Sequence, residues 1–205
     1  KIDSDGIWQW ASKAGGVDHD YGEDLEVDSS GDCYITGYFQ ETAIFGSYAL
    51  TSDGGDDIFV AKIDIDGEWQ WAIQAGGDGD IGDYGTAITI DYFENIYITG
   101  YFFETANFGS HTLVSNGNDD IFIAKMDASG EWKWAKRAGG NDLDQGRSII
   151  LDNINNVYIC GTFKSIATFE PYSVESSGNR DIFIAKLESD FEADFIADPT
   201  HGYSP

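Results

Sequence analysis

Short apolar runs recur along the chain at a regular interval, separated by polar and glycine-rich segments. The segment Trp-x-Trp-Ala occurs three times and is followed each time by Ala-Gly-Gly. Each copy continues with Tyr-Ile-x-Gly-x-Phe and then with Asp-Ile-Phe-x-Ala-Lys. The leading tryptophans Trp8, Trp69 and Trp132 lie 61 and 63 residues apart. Self-similarity at such a period predicts a tandem array of one supersecondary unit.

Alternating and continuous apolar runs predict four β-strands in each copy. In the middle copy these strands are predicted at residues 86–91, 95–103, 120–127 and 131–138. Residues 105–115 are predicted as a loop or a short hairpin. The Asp-Ile-Phe-x-Ala-Lys strand is apolar with little alternation, which indicates burial on both faces. Turn pairs such as Asn116-Gly117 separate the strands, and no stretch has a capped helical period.

Four antiparallel strands per copy predict an all-β fold of propeller blades, because solenoid coils repeat at shorter periods and sandwiches need about seven strands. The chain begins near the end of a third strand, so residues 8–14 are predicted as a fourth strand of a preceding or swapped blade. Propellers typically have about four to eight blades. Three copies are therefore predicted to be part of a larger or oligomeric propeller, completed by upstream blades or by head-to-tail self-association, and not a closed three-blade ring.

The motif set resembles the SBBP-type β-propeller repeat of bacterial and archaeal surface proteins, over residues 1–188. The third copy departs from it at Cys160 and at Phe169-Glu170. Residues 191–205 resemble the opening of a PKD domain, an Ig-like sandwich. The chain is therefore divided into propeller repeats at 1–190 and a linker with PKD-like residues at 191–205. These resemblances imply a prokaryotic extracellular or cell-surface protein with an adhesion or scaffold role, cut from a longer chain.

Charge and cysteine content narrow the classes of partner. The chain has 11 Lys and Arg against 37 Asp and Glu, a formal net charge of −26. Such a field repels nucleic acids and anionic membranes and attracts cations. The sequence contains no apolar span that is long enough to predict direct membrane insertion. Cys33 and Cys160 occupy different columns of the repeat, so no disulfide is predicted.

The loop after Ala-Gly-Gly is rich in aspartate in every copy. Its middle version contains Asp78, Asp80 and Asp83, and hard oxygen ligands on a glycine-rich loop suit Ca²⁺. These three residues form the candidate metal site, and calcium is the one candidate cofactor. Alternatively, the acids form turns, and Asp83 with its counterparts Asp20 and Asp144 accepts backbone N–H groups.

Lysine ends the apolar strand in all three copies, as Lys62, Lys125 and Lys186. A recurring lysine predicts a structural ion pair in each blade, because a catalytic group is normally unique. The expected acids are the equally recurrent Asp28, Asp91 and Asp152.

Three functions remain open at this point. The favoured one is a non-catalytic structural or binding module that meets proteins or glycans at the cell surface. The second is a calcium-dependent element of a surface lattice. The third is a propeller hydrolase or lyase with its site in the central channel, which would require a repeat-breaking cluster of His, Arg, Asp or Glu on an inner strand. The copies are interpreted as alike, so no catalytic residue is assigned.

Overall fold

The computed structural model describes residues 1–188, which form strands and turns without any helix. The strands are β1 (Ala14–Gly15), β2 (Asp20–Val27), β3 (Cys33–Phe39), β4 (Thr42–Phe45), β5 (Tyr48–Thr51), β6 (Asp57–Ile63), β7 (Trp69–Ala75), β8 (Tyr84–Ile90), β9 (Ile96–Phe102), β10 (Thr105–Phe108), β11 (His111–Val114), β12 (Asp120–Met126), β13 (Trp132–Gly140), β14 (Gln145–Leu151), β15 (Val157–Phe163), β16 (Ile166–Phe169), β17 (Tyr172–Glu175) and β18 (Asp181–Leu187). The predicted all-β class is confirmed.

The strands assemble into three antiparallel propeller blades. Blade 1 has the order β2-β3-β6-β7, blade 2 contains β8-β9-β12-β13, and blade 3 contains β14-β15-β18. The Trp-x-Trp-Ala strands β7 and β13 take the fourth and outermost place, as predicted. The hairpin expected at residues 105–115 is also confirmed, as β10 paired with β11.

Glycine in Tyr-Ile-x-Gly is required by the closeness of the two inner strands. A Cβ built on Gly37 would collide with the backbone carbonyl of Tyr21, and one on Gly100 with that of Tyr84. Each inner strand also carries a register shift beside this contact, between Gly22 and Asp24 in blade 1. The bulge bends the inner strand at this end of the sheet and re-aims its side chains.

The Ala-Gly-Gly segment carries the outer strand from its own blade to the hairpin of the next copy. In β13, Ile121 pairs with Ala138 inside blade 2, whereas Gly139 and Gly140 pair with β16. Gly76 makes the equivalent bridge to Asn107 in the second hairpin. Gly139 has a φ of 135°, a conformation open to glycine and strained for other residues. Consecutive copies are therefore joined by main-chain hydrogen bonds.

The core lies between neighbouring blades. Ile58 and Val60 of β6 are fully buried, in one cluster with Ile88 and Ile98 of blade 2. The strands β6 and β12 are buried along nearly their whole length, as predicted. In β18 the equivalent Ile182 and Ile184 are 81% and 78% exposed, because no further blade packs against this face within residues 1–188.

The strand predicted at residues 8–14 is wrong for most of its length. Only a single bridge from Ile2 to Trp8 and the two-residue β1 form there, and Trp8 is 73% exposed. The physical reason is that no third strand of a preceding blade lies beside this segment in the described residues. β1 pairs with β4 and not with β18. The PKD-like residues 191–205 lie outside the described residues, and in residues 1–188 no helix is long and apolar enough to span a membrane.

Candidate interaction surface

Four tyrosines form a continuous row across the inner strands of blades 1 and 2. We call Tyr21, Tyr38, Tyr84 and Tyr101 the tyrosine row. The rings of Tyr21 and Tyr38 stack with centroids 4.9 Å apart, and those of Tyr84 and Tyr101 stack at 4.8 Å. Tyr38 meets Tyr84 edge to face at 4.7 Å across the blade interface. The geometry is that of favourable aromatic pairs.

Cross-strand register explains the two stacked pairs. Tyr21 lies opposite Tyr38 in the ladder of β2 and β3, and Tyr84 lies opposite Tyr101 in β8 and β9. Directly opposed residues on one face of a sheet are close enough for their side chains to pack. Because β2 and β8 are neighbouring inner strands, the pairs of two blades join into one row at the end of the sheets that carries the Asp-rich loops.

The row lies in acidic surroundings. The Tyr84 hydroxyl donates a hydrogen bond to Asp56 Oδ2 at 3.0 Å. Burial, followed by Asp56, raises the pKa of Tyr84 above its usual value. Burial, followed by repulsion from Glu23, likewise raises the pKa of Tyr38. The Tyr38 and Tyr84 hydroxyls are therefore neutral at physiological pH. The Tyr21 ring is 49% exposed, and the other three rings are partly exposed.

The third copy breaks the row. Gln145 and Thr162 are the register partners that replace the tyrosine pair, and Arg147 and Arg180 lie next to them. The side-chain oxygen of Gln145 accepts hydrogen bonds from Arg147 at 2.6 Å and from Arg180 at 3.4 Å, and its amide donates to Asp119 at 2.7 Å. The interpretation that the copies are alike was wrong here. Superposing the copies residue by residue would have revealed these two arginines.

The candidate calcium ligands are not brought together as a three-carboxylate cluster. Asp78 and Asp80 are exposed in the loop, whereas Asp83 is 3% exposed and accepts the backbone N–H of Phe103 at 3.1 Å. Within residues 1–188 no group of three or more His, Cys, Asp or Glu side chains is arranged to hold a metal ion. The alternative role as backbone acceptors is observed for Asp20 and Asp144, which each accept a glycine N–H at 2.6 Å. Calcium binding by Asp78, Asp80 and Asp83 stays a prediction.

Buried carboxylates meet in pairs at the blade interfaces. Burial raises the pKa of Asp57 to about 7, and burial together with the charge of Asp57 raises that of Asp83 to about 8. Asp57 Oδ1 has no hydrogen-bond partner. Asp120, the counterpart of Asp57 in blade 2, instead receives Arg137 at 2.6 Å. Both groups at the first interface therefore favour the protonated form.

The predicted ion pair per blade occurs fully only in blade 1. Lys62 Nζ lies 3.0 Å from Asp32 and 3.8 Å from Asp28, and it also lies over the Tyr34 ring. Burial opposes its charge, but the hydrogen bonds that Lys62 makes to Tyr34 and donates to Asp32 outweigh burial and raise its pKa. Lys125 makes no ion pair with residues 1–188, and Lys186 pairs with Glu188 at 3.5 Å and not with Asp152. The prediction is therefore confirmed for Lys62 and Asp28 and wrong for blades 2 and 3, because it considered one acid per lysine and not the residues around that acid.

The comparisons with known proteins agree with the propeller fold. Residues 70–101 match the SBBP family, which is described as a β-propeller repeat. An uncharacterized WD repeat-containing protein, L264 of Acanthamoeba polyphaga mimivirus, is 23% identical over 222 residues. The match covers 90% of this chain and 16% of that protein, so the chain spans less than a fifth of the relative's length. The matched residues run from β7 of blade 1 to β9 of blade 2. The chain is thus similar over that segment to a propeller repeat, and more distantly along most of its length to a WD repeat-containing protein.

Proposed function

We propose that the chain is a non-catalytic interaction module of an extracellular or cell-surface protein, and that it binds a protein partner through the tyrosine row. The row itself carries the proposal: four partly exposed rings lie in contact across two blades. Tyrosine is enriched at the energetic centres of protein interfaces, because it buries a large area with little loss of side-chain freedom. Propeller and WD-type repeats are consistent with such a role.

The surroundings of the row favour a basic partner. Asp56 is hydrogen-bonded to Tyr84, and Glu23 is close enough to Tyr38 to raise its pKa, so acids border the rings. The net charge of −26 steers cations toward the whole molecule. Arg147 lies 5.1 Å from the Tyr101 ring centre and illustrates how an arginine of the partner would contact the row.

Peptide display on the immobilised chain would test the proposal. We expect enrichment of peptides that contain Lys or Arg, and loss of their binding to the Tyr21→Ala/Tyr38→Ala variant. Tyr172→Ala is a matched control because Tyr172 is 73% exposed and lies on the third hairpin. Thermal melts would show that both variants fold. Equal binding to both variants would contradict the proposal, and enrichment of oligosaccharides on a glycan array without any peptide would favour a glycan ligand.

Surface location is a separate part of the proposal and has its own test. A large excess of acidic residues keeps an exposed repeat protein soluble. Protease treatment of intact source cells, followed by immunoblotting for these repeats, should remove the signal while a cytoplasmic marker survives. Full protection in intact cells, with digestion after lysis, would show that the repeats face the inside.

A further inference from the structure

A second surface lies at the other end of the interface between blades 2 and 3. A cleft of about 140 Å³ is lined there by Tyr97, Trp134, Lys125 and Lys136 on the side of blade 2. Asn155 and Val157 of blade 3 form the opposite side. The four blade 2 side chains share one face because Lys125 is the register partner of both Trp134 and Tyr97, while Lys136 follows Trp134 by two residues. Diagonal neighbours on one face have Cα atoms roughly 7–8 Å apart.

The equivalent place between blades 1 and 2 is electrically neutralised. There Lys62 lies 3.0 Å from Asp32 of its own blade and 3.9 Å from Glu94 of the next blade. The position of Lys136 is occupied by Ile73, which packs against the core cluster of that interface. The single lysine at this interface is paired with acids, and the neighbouring position is apolar. No unpaired positive charge is therefore left there.

Between blades 2 and 3 the residues at three of these positions are different. Asn95 replaces Asp32, Asn155 replaces Glu94, and Lys136 replaces Ile73. Asp91 is the blade 2 counterpart of Asp28. It already accepts the Asn95 side-chain amide at 2.8 Å and the Tyr97 hydroxyl at 3.3 Å. Lys125 lies over the Tyr97 ring at 5.0 Å and makes no ion pair with residues 1–188, and neither does Lys136.

We infer that this cleft binds a small oxyanion, a phosphate or a carboxylate, between Lys125 and Lys136. Two ammonium groups supply up to six N–H donors and a double positive charge, which an oxyanion satisfies. Tyr97 and Trp134 provide an aromatic wall for an apolar or sugar portion of the ligand. Glu188 borders the cleft, but its carboxylate is 83% exposed and is paired with Lys186. At physiological salt the acids more than about 8 Å away are screened. Glu188 and Asp91 are the nearby acids, and each already has a partner, in Lys186 and in Asn95 and Tyr97.

An NMR titration of the whole chain tests the site. Inorganic phosphate and glucuronate are the anionic probes, and glucose is the neutral control. We expect saturable shifts of the amides of β12, β13 and residue 155 with at least one anion, and none of that pattern with glucose. Response to phosphate alone or glucuronate alone identifies the oxyanion. An absence of saturable, localised shifts with both anions would overturn the inference.

Three variants separate a site from general attraction of anions. Lys136→Ile restores the residue found at the first interface, Ile73, and Asn155→Glu restores its acid, Glu94; both should raise the dissociation constant by about tenfold. Glutamate is tolerated at this position because Glu94 and Asn155 have nearly the same φ, 61° and 60°. Lys133→Gln removes an equal charge from the same strand outside the cleft, where Lys133 pairs with Asp127 at 2.7 Å. It should change binding less than about twofold. If all three variants weakened anion binding equally, the inference of a specific site would be overturned.

Discussion

Lys62 in blade 1 and Glu94 in blade 2 place opposite charges 3.9 Å apart across the interface between the blades. The lysine side chain is 14% exposed and also contacts Asp28 and Asp32, whereas the glutamate side chain is 39% exposed. The pair therefore belongs to a partly buried network centred on Lys62. The matching lysine of blade 2 lacks such a network, which allows a controlled comparison.

Replacing Lys62 should destabilise the chain more than replacing Lys125. Lys62→Met leaves Asp28 and Asp32 close together without their cation, and we expect a loss of about 2 kcal/mol in the free energy of unfolding. Glu94→Gln should cost less than about 1 kcal/mol because its carboxylate is more exposed. Urea denaturation at pH 7 measures both. A loss with Lys125→Met as large as with Lys62→Met would show that the acids of blade 1 contribute little.

The buried acids at the first blade interface predict higher stability at lower pH. The pKa of Asp57 is raised to about 7 and that of Asp83 to about 8, mainly by burial. A raised folded-state pKa means that the folded chain binds the proton more tightly than the unfolded chain. The resulting stability is complete below the unfolded pKa of about 4 and is lost as pH rises through 7 and 8.

Urea midpoints between pH 5 and pH 8.5 test this dependence. The midpoint should fall as pH rises, and Asp83→Asn should flatten the decrease, because the amide is neutral and its oxygen can still accept from Phe103. Asp80→Asn is the control, since Asp80 is exposed in the same loop. A decrease of the same steepness in the Asp83→Asn variant would assign it to other groups.

Calcium binding at the middle Asp-rich loop has a direct thermal test. If Asp78 and Asp80 hold Ca²⁺ with the help of Asp83, millimolar Ca²⁺ should raise the melting temperature, and a chelator should reverse the rise. Asp80→Ala should abolish the rise without disturbing the fold. Asp83→Ala is less suitable because it also removes a backbone acceptor. A wild-type melting temperature that does not respond to Ca²⁺ would show that these acids serve as turn residues.

The exposed face of blade 3 predicts head-to-tail association. Ile182 and Ile184 are mostly exposed, whereas the equivalent Ile58 and Val60 of blade 1 are buried against blade 2. On blade 1, Leu25 is 58% exposed at the position where Ile88 is 2% exposed. The two faces therefore match those that pack inside the chain, and we expect sedimentation above the 22.5 kDa of one chain.

Substitutions on either face should reverse this association. Ile184→Lys and Leu25→Lys should each return the chain to monomers, because either one places a charge in the apolar contact. Tyr92→Lys, at a side chain that is 93% exposed in a turn, is the control. A wild-type chain that sediments as a monomer at all concentrations would exclude this contact.

Local pattern was enough to predict most of the strands and the outer place of the Trp-x-Trp-Ala strand. The apolar third strands β6 and β12 and the outer position of β7 follow from alternation, turn residues and repeat spacing. Residues 8–14 were mispredicted because a strand needs a neighbour, and sequence similarity to β7 and β13 does not provide one. The same dependence on neighbours explains β18, whose sequence resembles β6 while its side chains are largely exposed.

The surfaces were harder to predict because they combine residues from different copies. Tyr38 and Tyr84 touch only when two blades pack, so neither motif alone indicates the tyrosine row. The surroundings of Lys125 differ from those of Lys62 through changes at residues 95, 136 and 155, the last of them in another copy. A repeated motif predicts what the copies share, and a binding site arises where they differ. Comparing the copies column by column is therefore more informative than finding the repeat.

The passage of β13 from blade 2 to the third hairpin at Gly139 and Gly140 has a mechanical consequence. No copy of the sequence can be pulled away without first shearing strands that belong to its neighbour. A pulling force applied along the chain would therefore load two blades at once. An array with this connectivity is suited to bearing tension, since it would yield in large cooperative steps and not by the unravelling of single copies.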